Sequence, residues 1–213
     1  MIHVLLVDDH TLVREGLKRI IADSNLFSVV AEAADGNEAL QRLRAQAIEL
    51  VLLDLSMPGR SGVELVKQIK LEFPNLRILV LTMHEEDQYA VRAIRAGASG
   101  YLTKDSASAS LILAMEKIAR GGMYISARLA EQLALNLQTN ENFEQPHKSL
   151  SDREFQVFLA LVDGNAVGEI AANLNLSIKT ISTHKAHLLK KMQAQSVAEL
   201  VRYAITHALK RQD

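Results

Sequence analysis

The first 121 residues switch repeatedly between two hydrophobic periods. Short apolar runs stand at 3–7 (HVLLV), 28–33 (SVVAEA), 50–53 (LVLL), 78–81 (ILVL) and 100–102 (GYL). Helix-period stretches separate and follow them, over 11–23, 36–46, 62–73, 86–96 and 107–120. Central runs that are apolar at nearly every position belong to strands covered on both faces. Strands alternating with helices form a parallel sheet, because each helix carries the chain back to the starting edge. Five such units predict a doubly wound α/β domain over residues 1–121.

Residues 136–149 (NLQTNENFEQPHKS) are polar and hold one of only three prolines, which marks a connecting segment. The stretch 127–135 before it predicts a short helix, so 122–148 is read as a linker with a short helix inside it. From 149 to 213 the periodicity is helical only, with helices expected over 152–162, 167–173, 178–192 and 197–209. Ser151-Asp-Arg-Glu154 is a capping box for the first of these. Asn175 suits a tight turn between the second and third, and Ser177 is a ready N-cap for the third. Two short helices joined this way form a helix-turn-helix.

Charge divides along the same lines. Residues 1–121 carry 14 Lys and Arg against 16 Asp and Glu, whereas residues 148–213 carry 9 against 6. Only the tail therefore suits a polyanion. The chain has no cysteine, so disulfides and thiolate metal sites are excluded. It has no apolar run long enough to span a bilayer, and its first residues enter a strand pattern directly. A cytoplasmic protein without membrane contact is the expectation.

Ligands of an open parallel sheet bind outside the carboxyl ends of its strands. Here strand 1 ends in Asp8 and Asp9, strand 3 in Asp54, strand 4 in Thr82, and strand 5 is followed by Thr103 and Lys104. Taken singly, each has an ordinary reading as a helix cap, a turn residue or plain surface. Jointly, three carboxylates within a few ångströms repel strongly and need compensating charge. Lys104 offers one positive charge. A hard cation with oxygen ligands, Mg²⁺ above all, offers two.

The motifs VDDH at 7–10, LDLSMPGRSG at 53–62, LT at 81–82 and GYLTK at 100–104 resemble the receiver domain of two-component response regulators, a CheY-like, flavodoxin-like fold. The resemblance implies Asp54 as phosphoacceptor. It implies a Mg²⁺ site of Asp8, Asp9, Asp54 and the backbone carbonyl of Ser56. Lys104 would pair with the phosphoryl group, Thr82 would hydrogen-bond to it, and Tyr101 would change rotamer with it. The loop 83–87 (MHEED) would move with Thr82. Asp105 stands where many receivers carry a proline, which puts the path of that loop in question.

Residues 150–192 (LSDREFQVFLALVDGNAVGEIAANLNLSIKTISTHKAHLLKKM) resemble the four-helix output domain of the NarL/FixJ, LuxR type. On a helical wheel Ile178, Ile181, Leu188, Leu189 and Met192 share one face with His184, while Lys179, Ser182, Thr183, Ala186 and Lys190 lie opposite. The second face is expected in the DNA major groove, its short side chains near base edges and its lysines on phosphates. The DNA-contacting set is Lys179, Thr180, Ser182, Thr183, Lys185, Ala186 and Lys190, with Lys185 near the apolar side. Val197, Leu200, Val201 and Ala204 form a stripe that must partly cover the tail's core and is expected also to make a two-fold contact.

The sequence thus predicts a DNA-binding transcriptional regulator. A sensor histidine kinase would phosphorylate Asp54, the phosphorylated form would dimerise on inverted promoter half-sites, and RNA polymerase is a further expected partner. Enzymatic activity beyond slow Mg²⁺-dependent self-dephosphorylation is not expected. A dinucleotide-dependent enzyme would need G-x-G-x-x-G after strand 1, where this chain has D-D-H-T-L-V. An aspartyl phosphatase would carry a second acid at 56, where this chain has Ser56. A receiver acting only on other proteins would leave the tail without DNA selectivity.

Overall fold

The computed structural model describes residues 1–55, 57, 62–82, 87–138, 146–174, 176–207 and 209. They form two compact units, Met1–Gln138 and Thr139–Asp213. No helix among the described residues is long and apolar enough to cross a membrane.

The first unit is a five-stranded parallel sheet in the order β2-β1-β3-β4-β5. Its strands are β1 (Ile2–Val7), β2 (Phe27–Ala33), β3 (Leu50–Asp54), β4 (Arg77–Thr82) and β5 (Gly100–Thr103). Between and after them run α1 (Thr11–Ala22), α2 (Gly36–Ala45), α3 (Gly62–Glu72), α4 (Asp87–Arg95) and α5 (Lys104–Ala119). Val4–Val7, Leu50–Leu53 and Ile78–Leu81 are buried without a break. That explains their uninterrupted apolar runs: β1, β3 and β4 are the central strands, and each side-chain row has a covering layer. The register pairs Val7 with Leu53, Asp54 with Leu81 and Thr82 with Thr103, so the carboxyl ends lie level along one rim.

Three features of this unit differ from the sequence expectation by more than a residue at an element's end. Helix α5 starts at Lys104, three residues earlier than the periodicity suggests. Thr103 is its extended N-cap residue, the Ser106 hydroxyl donates to the Thr103 carbonyl at 3.1 Å, and Asp105 places an acid in the first turn, which the helix dipole favours. The chain therefore turns from strand into helix at once. After α5, the Tyr124 backbone joins the sheet edge, donating to Ser99 O and accepting from Tyr101 N–H. Gly100 makes room: a Cβ there would lie 2.8 Å from the Tyr124 carbonyl oxygen. The short helix that follows, α6 (Ala127–Gln138), packs on α4 and belongs to the first unit. It includes the first three residues of the polar stretch 136–149, and 146–149 form a 3₁₀ turn.

The second unit is all-helical: α7 (Asp152–Val162), α8 (Val167–Asn173), α9 (Ile178–Lys191) and α10 (Val197–Thr206). The capping box closes in both directions, Glu154 N–H to Ser151 Oγ at 3.2 Å and Ser151 N–H to Glu154 Oε2 at 2.7 Å. Ser177 and Ser196 cap α9 and α10. The core holds Phe155 and Phe158, stacked with ring centroids 5.9 Å apart, with Ile181, Leu188, Leu200 and Ala204. Asn175, expected at the turn between α8 and α9, lies outside the described residues. Helix α9 ends one residue before the expected Met192, and Gln193 then takes the left-handed conformation at φ 53°.

Candidate functional site

The level strand ends bring the acidic residues together. Asp8 follows β1, Asp54 ends β3, Thr82 ends β4, and all three are buried. Ligand-capable atoms of Asp8, Asp9, His10 and Asp54 all lie within 4.8 Å of one another. Lys104 opens α5 directly after β5, and its Nζ sits 2.7 Å from Asp8 Oδ2 and 2.7 Å from Asp54 Oδ2. Burial opposes the charge on this ammonium. The hydrogen bonds it donates to Asp54 and Asp8, and their attraction, outweigh it and hold the Lys104 pKa above the ordinary lysine value.

Three carboxylates against one ammonium leave an excess of negative charge in a largely buried pocket. A divalent cation of the hard type fits that excess and that oxygen-rich donor set. Asp9 is the acid nearest solvent, with its side chain 28% exposed. His10 completes the turn: its N–H donates to Asp8 Oδ1 at 2.8 Å, and its Nδ1 lies 2.9 Å from Asp9 Oδ1. Tyr101 is buried, with its N–H held by Tyr124 O. Ser56, whose carbonyl the sequence reading adds to the metal set, and loop residues 83–86 lie outside the described residues.

In the tail, Ile181, Leu188 and Met192 turn into the core, while Lys179, Ser182, Thr183, Ala186 and Lys190 are exposed on α9. Ile178 departs from the wheel. It is the first helical residue and is 61% exposed. Thr180 is half-buried, its Oγ1 2.8 Å from the capping Ser177 hydroxyl. Lys185 is half-buried. On α10, Leu200 and Ala204 are fully buried in the tail's own core, which removes them from any surface, whereas Val197 and Val201 are half-exposed.

Residues 4–116 match the response regulator receiver domain, and residues 148–204 match the bacterial regulatory proteins of the luxR family. The chain belongs to the two-component response regulators. Over 209 residues it is 40% identical to the response regulator UvrY of Escherichia coli, covering 98% of this chain and 96% of that one. It is 36% identical to the response regulator GacA of Pseudomonas aeruginosa, over 98% of each chain. Among solved structures it is similar to RcsB from Salmonella enterica serovar Typhimurium bound to promoter rprA in the presence of phosphomimetic BeF3⁻. That likeness has a TM-score of 0.63 and 30% identity, over 97% of this chain and 100% of that one. A receiver followed by a luxR-type helix-turn-helix is the build of phosphorylation-controlled, DNA-binding transcription regulators.

Sequence reasoning passed over three features of this response regulator. His10 stands in the VDDH motif, yet nothing in its position announced contact with both acids. Arg14 donates from its Nη1 to the Asp8 carbonyl at 2.6 Å. Lys191 reaches from the end of α9 to Glu154 Oε2 at 2.6 Å, joining α9 to the α7 capping box. A basic residue on a helix surface carries no mark in the sequence of which distant oxygen it will meet.

Proposed function

We propose that Asp54 is the phosphoacceptor and that its phosphorylation controls DNA binding by α9. The observation that carries the reading is the Lys104 ammonium shared at 2.7 Å between Asp8 and Asp54 at the strand-end rim. Asp8, Asp9 and Asp54, with the carbonyl of Ser56, would hold Mg²⁺, which when bound neutralises charge on the transferring group. An Asp54 carboxylate oxygen bonds to phosphorus as the donor's bond to phosphorus breaks, P–N in a phosphohistidine and P–O in an acyl phosphate, and the leaving group keeps that electron pair. Lys104 turns from Asp54 towards the new phosphoryl oxygens, a charge-assisted pairing. The Thr82 hydroxyl then donates to a phosphoryl oxygen, and Tyr101 and the loop 83–87 follow it. Water attacking the same phosphorus restores Asp54 slowly. The donor is a sensor histidine kinase, and the compartment is the cytoplasm.

In the tail, Ser182, Thr183 and Ala186 face base edges and Lys179 and Lys190 meet phosphates. Thr180 and Lys185 flank that set. Phosphorylated chains pair as a homodimer on inverted promoter half-sites, with Val197 and Val201 of α10 towards the partner and Leu200 and Ala204 seating the helix from within. RNA polymerase is the expected downstream partner.

The test is intact-mass measurement after incubation with Mg²⁺ and a small acyl phosphate. The mass should rise by one phosphoryl group, and Asp54→Asn should abolish the rise. Uptake surviving in Asp54→Asn would move the acceptor elsewhere and end this reading.

A further inference from the structure

We propose that Arg14 is a positioning residue of the acidic pocket, one that fixes the Asp8–Asp9 turn from outside it. The proposal rests on the reading of that pocket as the Mg²⁺ and phosphoryl site.

Each polar group of Asp8 is held. Its N–H donates to Ala33 O at 3.1 Å, its Oδ1 accepts from His10 N–H at 2.8 Å, and its Oδ2 lies 2.7 Å from Lys104 Nζ. Its carbonyl accepts from Arg14 Nη1 at 2.6 Å. The first of these is main chain, and the next two end on the carboxylate that the pocket uses. Arg14 alone is a side chain that grips the turn without touching a carboxylate of the pocket.

The grip is itself pinned. Arg14 Nε donates to Glu32 Oε2 at 2.9 Å, across from α1 to β2, and the other Glu32 oxygen accepts from Lys18 Nζ at 2.8 Å. The Lys18 hydrogen bond, against the cost of burial and with help from Arg14, holds the Glu32 carboxyl below the usual glutamate range. Glu32 therefore stays ionised and keeps the guanidinium in place. The Arg14 side chain is only 14% exposed. A surface ion pair alone contributes little, so stability is a poor reason to bury a guanidinium here. A rigid fork that reaches a carboxylate with one nitrogen and a carbonyl with another is a better one. A lysine has a single nitrogen for the two oxygens.

The carbonyl matters because of what shares its plane. The peptide between Asp8 and Asp9 is planar, so fixing the Asp8 oxygen also fixes the Asp9 nitrogen and the direction in which Asp9 leaves the turn. Asp9 is the most exposed acid of the cluster, held otherwise by His10 Nδ1 at 2.9 Å. Arg14 thus presets the spacing of Asp9 from Asp8 and Asp54 before a cation arrives. A site preset in this way binds its ion without first ordering its ligands.

The experiment uses the full chain as wild type, Arg14→Ala, Arg14→Lys and Glu32→Gln. Mg²⁺ is titrated by calorimetry, phosphoryl uptake from a small acyl phosphate is followed against Mg²⁺ concentration, and melting is recorded without Mg²⁺. Arg14→Ala should raise the half-saturating Mg²⁺ about tenfold, the scale of losing a support behind a metal ligand, while uptake at saturating Mg²⁺ recovers. Arg14→Lys and Glu32→Gln should fall between it and wild type. Half-saturation equal to wild type in both Arg14→Ala and Glu32→Gln, with only the melting point lowered, would reduce Arg14 to a structural residue and overturn the proposal. If the wild type itself binds no Mg²⁺ and takes up no phosphoryl group, the pocket reading falls first and this inference with it.

Discussion

Lys104 and Lys190 are both proposed to act on a charged partner of their unit, yet the fold treats them in opposite ways. The Lys104 side chain is 10% exposed and tied to two carboxylates. Lys190 is exposed on α9 and, like Lys179, shows no ion pair among the described residues. The acidic pocket gathers charge from two strand ends and a helix start, then satisfies part of it internally. Helix α9 spreads its charge along one element and leaves it to solvent. The difference teaches what each region is built to meet. A small, dense charge needs ligands already in place, so the pocket bears repulsion in advance. An extended polyanion needs only cations at a suitable spacing, so the tail incurs no such cost.

If that contrast holds, removing one lysine from each region has different consequences, and the largest belongs to the pocket. Lys104→Ala leaves Asp8 and Asp54 buried without their ammonium. Stability without Mg²⁺ should fall by about 3 kcal/mol, the scale of breaking a buried pair on one side. Mg²⁺ should then restore more stability to the variant than it adds to wild type, since it meets more uncompensated charge. Thermal melting with and without Mg²⁺ reads both effects. Equal Mg²⁺ responses in the two proteins would mean that charge crowding does not govern the pocket.

Lys179→Ala with Lys190→Ala should show the reverse pattern. Folding stability should move by less than about 0.5 kcal/mol, as exposed substitutions do. Duplex DNA affinity should fall on every sequence, and the slope of log K against log salt should flatten by about 2, close to 0.9 for each lost phosphate contact. Binding isotherms at four or five salt concentrations suffice. An unchanged slope removes α9 from the groove.

What could be read beforehand follows the same division. The central strands were legible because Val4–Val7, Leu50–Leu53 and Ile78–Leu81 are apolar at every position, a pattern that burial on both faces imposes. The rim of Asp8, Asp54, Thr82 and Lys104 was legible because a parallel sheet delivers every strand to one end. The start of α5 was not, since the Ser106 contact to Thr103 that sets it is a local polar choice with no periodic trace. Nor was the end of α9: Gln193 adopts a left-handed conformation where a glycine would have announced the stop. The Arg14 bond to a main-chain oxygen left no mark either, because any surface helix carries arginines. The wheel placed Ile181 and Leu188 correctly but misjudged Ile178, because angular position does not say where along its length a helix meets its neighbour.

Glu154 and Lys191 supply the smallest and sharpest test, because they bring pocket-like behaviour into the tail. Glu154 is nearly buried, accepts from Ser151 N–H, and lies 2.6 Å from Lys191 Nζ. Burial would raise its pKa. The hydrogen bonds from Lys191 and Ser151 outweigh that and hold it below the ordinary glutamate value of 4.5. A carboxyl with a lowered folded pKa contributes stability that is fully present above 4.5 and disappears as pH falls through the lowered value. Glu154→Gln keeps one acceptor for the Ser151 N–H and loses the charge, so it should cost about 1 kcal/mol at neutral pH, discounted because Lys191 is partly exposed. As pH falls from 4.5 through the lowered value that cost should shrink and then vanish, because wild type loses the same charge. Denaturation of the full chain, following the helical signal of the tail from pH 3 to pH 7, measures the gap. A gap that stays constant across that range would show the pair to be held by packing rather than charge. It would also remove the one place among the described residues of the tail where a lysine is tied to a buried carboxylate, as Lys104 is in the acidic pocket.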